Sequence, residues 1–282
     1  MDLIWDERAA ESPWIERIWY SRSTEAGEFR SVAGSRSEVV ITRYQGETTL
    51  TLRGPETKST EAWCPPDAEF LGIQFRPGTF MPDFPASTLL DRNDINLPAA
   101  GSNCFWLKGS AWEYPTMETV DTFVDRLLRE ELLVHDSLVE SILCQQPLEI
   151  SLRTAQRRFL RATGLTHNTL FQIERARQAT LFLKDGHSIL DTATQLGYFD
   201  QPHLNRSLKQ YIGLTPTQIQ DAHRTERLSF LYKTLTSDWH MLTISELQQG
   251  DGLYEQDRRI RVHVAGRRDR STGDVALPVH YG

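Results

Sequence analysis

Residues 1–134 contain no histidine. Metal enzymes built on strands hold their ion with two or three imidazoles and a carboxylate, so such a centre is all but excluded from this half. A metal there would have to use carboxylates and thiols alone. Cysteine is scarce too. Cys64, Cys104 and Cys144 lie about 40 residues apart, with no Cys-x-x-Cys pair and an odd total, which gives neither zinc-type spacing nor a disulfide framework. No run of 18 apolar residues exists, so no membrane span is expected. The opening stretch MDLIWDERAAESPW is acidic and lacks a basic-then-apolar signal pattern, and a cytoplasmic protein is expected.

The sequence instead shows a divided charge. The 282 residues carry a net charge of −7, which taken as one number argues against nucleic acid. Residues 151–224 hold ten Arg/Lys against five Asp/Glu, whereas residues 1–150 hold 13 against 25. The tail from Thr225 has eight of each. An acidic front half joined to a basic segment is the asymmetry expected when one part meets phosphate and the other does not.

Residues 1 to about 115 look β-rich. Glu38–Tyr44, residues 48–53 and Glu69–Phe75 are strand-like, the first two joined by a turn at Gly46. Six of the seven tryptophans lie here (Trp5, Trp14, Trp19, Trp63, Trp106 and Trp112), suiting either the walls of a ligand pocket or the core and rim of a small barrel. From Thr116 the period becomes helical. Met117, Val120, Phe123, Val124, Leu127, Leu128 and Leu132 form an apolar stripe on a helix of roughly four turns. That stripe could pair with a second copy, giving a homodimer through residues 116–133, or dock on the chain's own strands. A second helix is expected over residues 136–146, ended by Pro147.

Residues 186–220 read as three short helices with local signals at each end. Ser188 and Asp191 form a Ser-x-x-Asp cap, and Gly197 ends the first helix. Asp200 opens the second, which tolerates Pro202 in its first turn and stops at Gly213. Thr215-Pro216, with Gln218, opens the third. Short helix, tight turn and polar-faced helix make a helix-turn-helix pattern. On the middle helix Leu204, Leu208 and Tyr211 supply the packing side, leaving Gln201, His203, Asn205, Arg206 and Lys209 elsewhere. Gln and Asn suit adenine edges, Arg suits guanine and Lys suits phosphate. Upstream, a helix capped by Ser151 and ended by Gly164 buries Leu152, Ala155 and Phe159. It carries four arginines and no acid. Arg153, Arg157 and Arg161, spaced by four, make a basic ridge that calls for an anionic partner. A longer helix over residues 166–184 joins the two units.

These residues resemble the DNA-binding region of the AraC/XylS family of bacterial transcriptional regulators. The likeness runs through Ser151-x-Arg153-x-x-Gln156-Arg157-x-Phe159, Gly164, Arg175-x-x-x-Ala179, Ile189-x-x-x-Ala193-x-x-x-Gly197-Tyr198, Arg206-x-x-Lys209, Gly213 and Thr215-Pro216. The resemblance implies two helix-turn-helix units, spaced by a linker helix, that enter successive major grooves of double-stranded DNA about 34 Å apart. It implies base contacts from Arg153, Gln156 and Arg157, and from Gln201, His203, Asn205 and Arg206, with Arg161 and Lys209 on phosphates. The stretch 136–151, short and broken by Pro147, implies an abbreviated first unit. The run Phe70-Leu71-Gly72-Ile73-Gln74-Phe75-Arg76-Pro77-Gly78 resembles the cupin-like sensor often fused in front of it, where a small-molecule effector binds or a dimer forms.

The expected fold is α+β, a β-rich cupin-like barrel followed by an all-α DNA-binding domain with two helix-turn-helix units. The expected division is a sensor over 1–115, a linker or dimerisation helix over 116–135, the DNA-binding domain over 136–222 and an extension over 223–282. That extension would hold a helix over 225–236 and a mobile run from Gly250. No cofactor, metal or catalytic residue is expected. Two other classes stay open at this point: a cupin-like enzyme with an accessory DNA module, and a repair protein whose cysteine accepts an alkyl group.

Overall fold

The computed structural model describes residues 3–221. The helix expected over 225–236 and the tail beyond it lie outside the described residues.

The first half is built from antiparallel strands. Strands β1 (Leu3–Arg8), β2 (Ile15–Ser23), β4 (Glu38–Tyr44), β5 (Glu47–Arg53), β7 (Glu69–Phe75) and β9 (Ile95–Asn96) form one sheet in the order β1-β2-β7-β4-β5-β9. Separate two-stranded sheets pair β3 (Gly27–Ser31) with β6 (Thr60–Cys64), β8 (Thr79–Phe80) with β12 (Val134–His135), and β10 (Cys104–Leu107) with β11 (Ser110–Glu113). Among the described residues no ladder joins β1 to β9, so the main sheet is open. Strand β2, which the sequence did not announce, lies inside the sheet between β1 and β7. Its buried Arg17, Ser21 and Ser23 break the apolar alternation that marks a half-buried strand.

Helix α1 (Val120–Arg129) is shorter than the four turns expected, ending at Glu130 before a left-handed Glu131. Val120, Val124, Leu127, Leu132 and Leu133 pack into the sheet's core with Ile18, Ile41, Leu71, Phe105 and Trp112, and Met117, Phe123 and Leu128 lie against it. The apolar stripe is therefore used within the chain. Docking on the chain's own strands is the alternative observed. The tryptophans serve as core and rim. Trp19 and Trp112 are buried, Trp5 stacks on Trp19 with ring centres 5.2 Å apart, and Trp63 and Trp106 are exposed. No tryptophan lines the small, mostly apolar pocket beside Glu38 and Arg53, which has room for about one water molecule.

The second half is helical: α2 (Ser137–Leu143), α3 (Leu152–Thr163), α4 (His167–Lys184), α5 (Ile189–Gln195), α6 (Gln201–Tyr211) and α7 (Pro216–Gln220). Helix α2 stops four residues short of Pro147, earlier than expected. Each of the other starts is the cap that its sequence announces. Ser151, Thr166, Ser188, Asp200 and Thr215 accept from backbone N–H groups three residues on, and Thr215 with Gln218 closes a reciprocal box. Ser188 and Asp191 differ from a reciprocal box: the serine hydroxyl donates to the Asp191 carboxylate at 2.6 Å.

The two halves share a core. Val32, Ala33 and Phe80 of the strand-rich half pack with Phe159, Leu170, Ile173, Leu204 and Leu208. Their backbones interlock as well. Ala33 N–H donates to Tyr211 O at 2.7 Å and Ser59 N–H to Gln210 O at 2.9 Å, so the strand-rich half caps the carbonyl end of α6. Gly164, left-handed at the end of α3 (φ 73°), lies so near Ala86 that an added Cβ would fall 2.7 Å from its carbonyl carbon. Only glycine fits both demands.

Candidate nucleic-acid interface

Helix α3 owes its outer face to its inner one. Ala155, Phe159 and Ala162 are buried, and the 3.6-residue period turns Arg153, Gln156, Arg157 and Arg161 to solvent, where all four are exposed. The four arginines are not equivalent. Arg158 forks onto Asp136, the cap of α2, with Nε 2.9 Å from Oδ2, and that bond raises the guanidinium's pKa. Arg161 lies 5.9 Å from the centre of the Phe80 ring on the strand-rich half. Arg153 and Arg157 make no ion pair among the described residues and present their charge directly to solvent.

Helix α6 is organised the same way. Leu204, Ser207, Leu208 and Tyr211 are buried, whereas Gln201, Asn205, Arg206 and Lys209 are exposed. Opposite the buried side the wheel places Pro202, Arg206 and Lys209, with Gln201 and Asn205 beside them. His203 departs from this group. It is half-buried, its ring stands edge-on to Tyr198 at 5.2 Å, and its Nδ1 accepts from Phe199 N–H at 3.4 Å. The imidazole belongs in part to the turn that positions α6. Replacing Asp200, whose carboxylate accepts from His203 N–H at 2.6 Å, by alanine should cost about 1 kcal/mol. Thermal unfolding should show it as a fall of roughly 2–4 °C, recovered by Asp200→Asn.

Helix α4 braces this turn. Arg175 is buried; its Nη1 donates to Gly197 O at 3.2 Å, its Nη2 to Gln172 Oε1 at 2.6 Å, and its guanidinium lies 4.3 Å over the Tyr198 ring. Burial pushes the Tyr198 phenol up in pKa, so it stays protonated beside Ser207, 3.2 Å away. The Arg175-x-x-x-Ala179 spacing thus has a mechanical basis: the arginine locks the turn while Ala179 keeps the helix close to its neighbours. On its other side α4 meets the strand-rich half. Glu174 bonds the Ser35 hydroxyl and lies 3.5 Å from Arg36, which also bonds Glu16 on β2. Nothing in the local sequence announces this cluster.

Two exposed residues beside these faces were missed by reading the sequence, Leu160 on α3 and Phe199 before α6. Leu160, four residues past Gln156, could have been found on the wheel. Cys64 is buried, and burial pushes its thiol up, away from the thiolate an alkyl acceptor needs. Among the described residues no group of three or more His, Cys, Asp or Glu is placed to hold a metal ion, and no helix is long and apolar enough to cross a membrane.

Residues 146–222 match a family described as "Helix-turn-helix domain". Over 105 residues the chain is 37% identical to the HTH-type transcriptional regulator VirS of Mycobacterium tuberculosis, in strain CDC 1551 / Oshkosh and equally in strain H37Rv. The aligned stretch is 37% of this chain and 30% of those relatives, so the chain spans less than a third of the regulators it matches. No solved structure matches it. Residues 146–222 thus match a helix-turn-helix domain, in line with the resemblance of this stretch to the AraC/XylS family.

Proposed function

We propose that the chain is a sequence-specific transcriptional regulator that binds double-stranded DNA through α3 and α6, the second helices of two helix-turn-helix units, α2–α3 and α5–α6. The observation that carries this reading is the state of Arg153 and Arg157. They stand exposed and without an ion pair among the described residues, on a helix that has no acid. Duplex DNA is the polyanion whose grooves such a helix fits. Arg153, Gln156, Arg157, Gln201, Asn205 and Arg206 take base edges, with His203 at the margin, and Arg161 and Lys209 take phosphates.

The strand-rich half is read as the cupin-like part that controls this binding. It touches the far ends of both reading helices, at Ala86 for α3 and at Ala33 and Ser59 for α6, so a small effector that shifts it would shift the readers. The DNA-facing residues remain exposed with the halves docked, so the docked arrangement leaves them free to bind.

Binding of the full chain to a duplex selected from a random pool tests the reading. The logarithm of affinity should fall linearly with the logarithm of salt concentration. Lys209→Ala should reduce that slope by about 1 and weaken binding equally across sequences. Binding indifferent to salt would sink the proposal.

A further inference from the structure

Two large apolar side chains stand in solvent beside the polar groups of the proposed readers. Leu160 on α3 is 43% exposed and Phe199 is 92% exposed. Leu160 lies three residues past Arg157 and four past Gln156, so it shares their face of the helix. Phe199 precedes Asp200, the cap of α6. From that position an apolar side chain commonly packs on the fourth helical residue. Here that residue is Leu204, fully buried, and Phe199 stays outside.

The surroundings indicate what these side chains meet. Leu160 lies among Arg153, Gln156 and Arg157, a field that draws a polyanion and repels a basic or purely apolar partner. Phe199 stands at the N-terminal end of α6, the end that approaches base edges when such a helix enters a groove. In the major groove of DNA the one apolar group on a base edge is the thymine 5-methyl.

We propose that Leu160 and Phe199 are specificity-determining residues that pack on thymine methyl groups, one for each reading helix. The inference rests on the DNA-binding reading above and adds to it a sequence preference that carries no charge. It leaves the salt dependence untouched and appears as discrimination between thymine and uracil.

The test uses the full chain and duplexes selected from a random pool, remade with deoxyuridine in place of thymidine at one position at a time. That exchange removes the methyl group and nothing else. At one position or more beneath each helix, uracil should lower affinity about fourfold, the worth of one buried methyl. Leu160→Ala should weaken binding to the thymine duplex by the same factor and become indifferent to the exchange at its position. Phe199→Ala should do so at the other. Both side chains are exposed, so neither variant should alter folding. Leu190→Ala, which removes a 68% exposed leucine from α5, should leave both discriminations intact. Equal binding of thymine and uracil duplexes by the parent overturns the proposal and leaves the DNA reading standing. Failure of the parent to bind any duplex overturns that reading itself.

Discussion

Replacement of Arg36 by alanine is expected to destabilise the protein by about 3–5 kcal/mol, the usual consequence of leaving a buried charge without its partner. Arg36 is 7% exposed and stands between Glu16 of the main sheet and Glu174 of α4, which is 9% exposed on one side of Arg36, with Ser35 bonded to both Arg36 and Glu174. Without the guanidinium, Glu16 loses the partner it is bonded to, while Glu174 keeps Ser35 and Arg177, the latter 3.9 Å away. Burial on its own raises the pKa of Glu16, but the Arg36 charge and hydrogen bond, with the charges of Arg177 and Arg17, outweigh it and hold the carboxyl below its ordinary value. In the parent this pair therefore contributes fully above the unfolded carboxylate pKa and is lost as pH falls through the lower folded value. In Arg36→Ala burial is still opposed by Arg177 and Arg17, so the folded pKa lies above the parent's, and the deficit grows as pH rises through the window between the two. Denaturant unfolding of both proteins at about pH 3.5 and pH 7.5 should show a smaller deficit at the lower pH. An equal deficit at both would mean that the cost comes from lost packing and not from charge.

The joint change Arg157→Ala with Arg206→Ala should reduce DNA affinity by about 2–6 kcal/mol, up to roughly 10⁴-fold. Each arginine is expected to cost about 1–3 kcal/mol and to relax sequence choice at its own base. They stand on different helices, so the effects should add if both helices read at once. Both side chains are exposed, and the variants should unfold as the parent does. Titration of a selected duplex with parent, single and double variants decides the matter. A double variant no weaker than Arg206→Ala alone would show that α3 does not read, and the two-part proposal would fall to one part.

The helical half was legible in the sequence because its signals are local. A serine, threonine or aspartate whose oxygen reaches an N–H three residues on needs nothing from the rest of the chain. The same holds for Gly164, Gly197 and Gly213, which carry positive φ values just past their helices. The outer faces of α3 and α6 follow from the 3.6-residue period alone. The strand-rich half was legible only where β-branched, apolar and aromatic residues run together between turn signals, as in β4, β5 and β7. Strand β2 hides behind buried Arg17, Ser21 and Ser23, and the stripe of α1 fits a partner chain as well as its own sheet until the fold assigns it to the sheet.

By itself, the sequence determined the caps, the periods and the division of charge, because each is a property of residues close together along the chain. Only the tertiary structure decided what the surface residues are free to do. It took Arg158 into a bond with Asp136, turned His203 toward Tyr198 and left Arg153, Arg157 and Arg206 facing solvent. It also tied the ends of α3 and α6 to the strand-rich half through Ala33, Ser59 and Ala86. Apart from the His203–Tyr198 pair, those contacts join segments tens of residues or more apart, and no local period or cap encodes them.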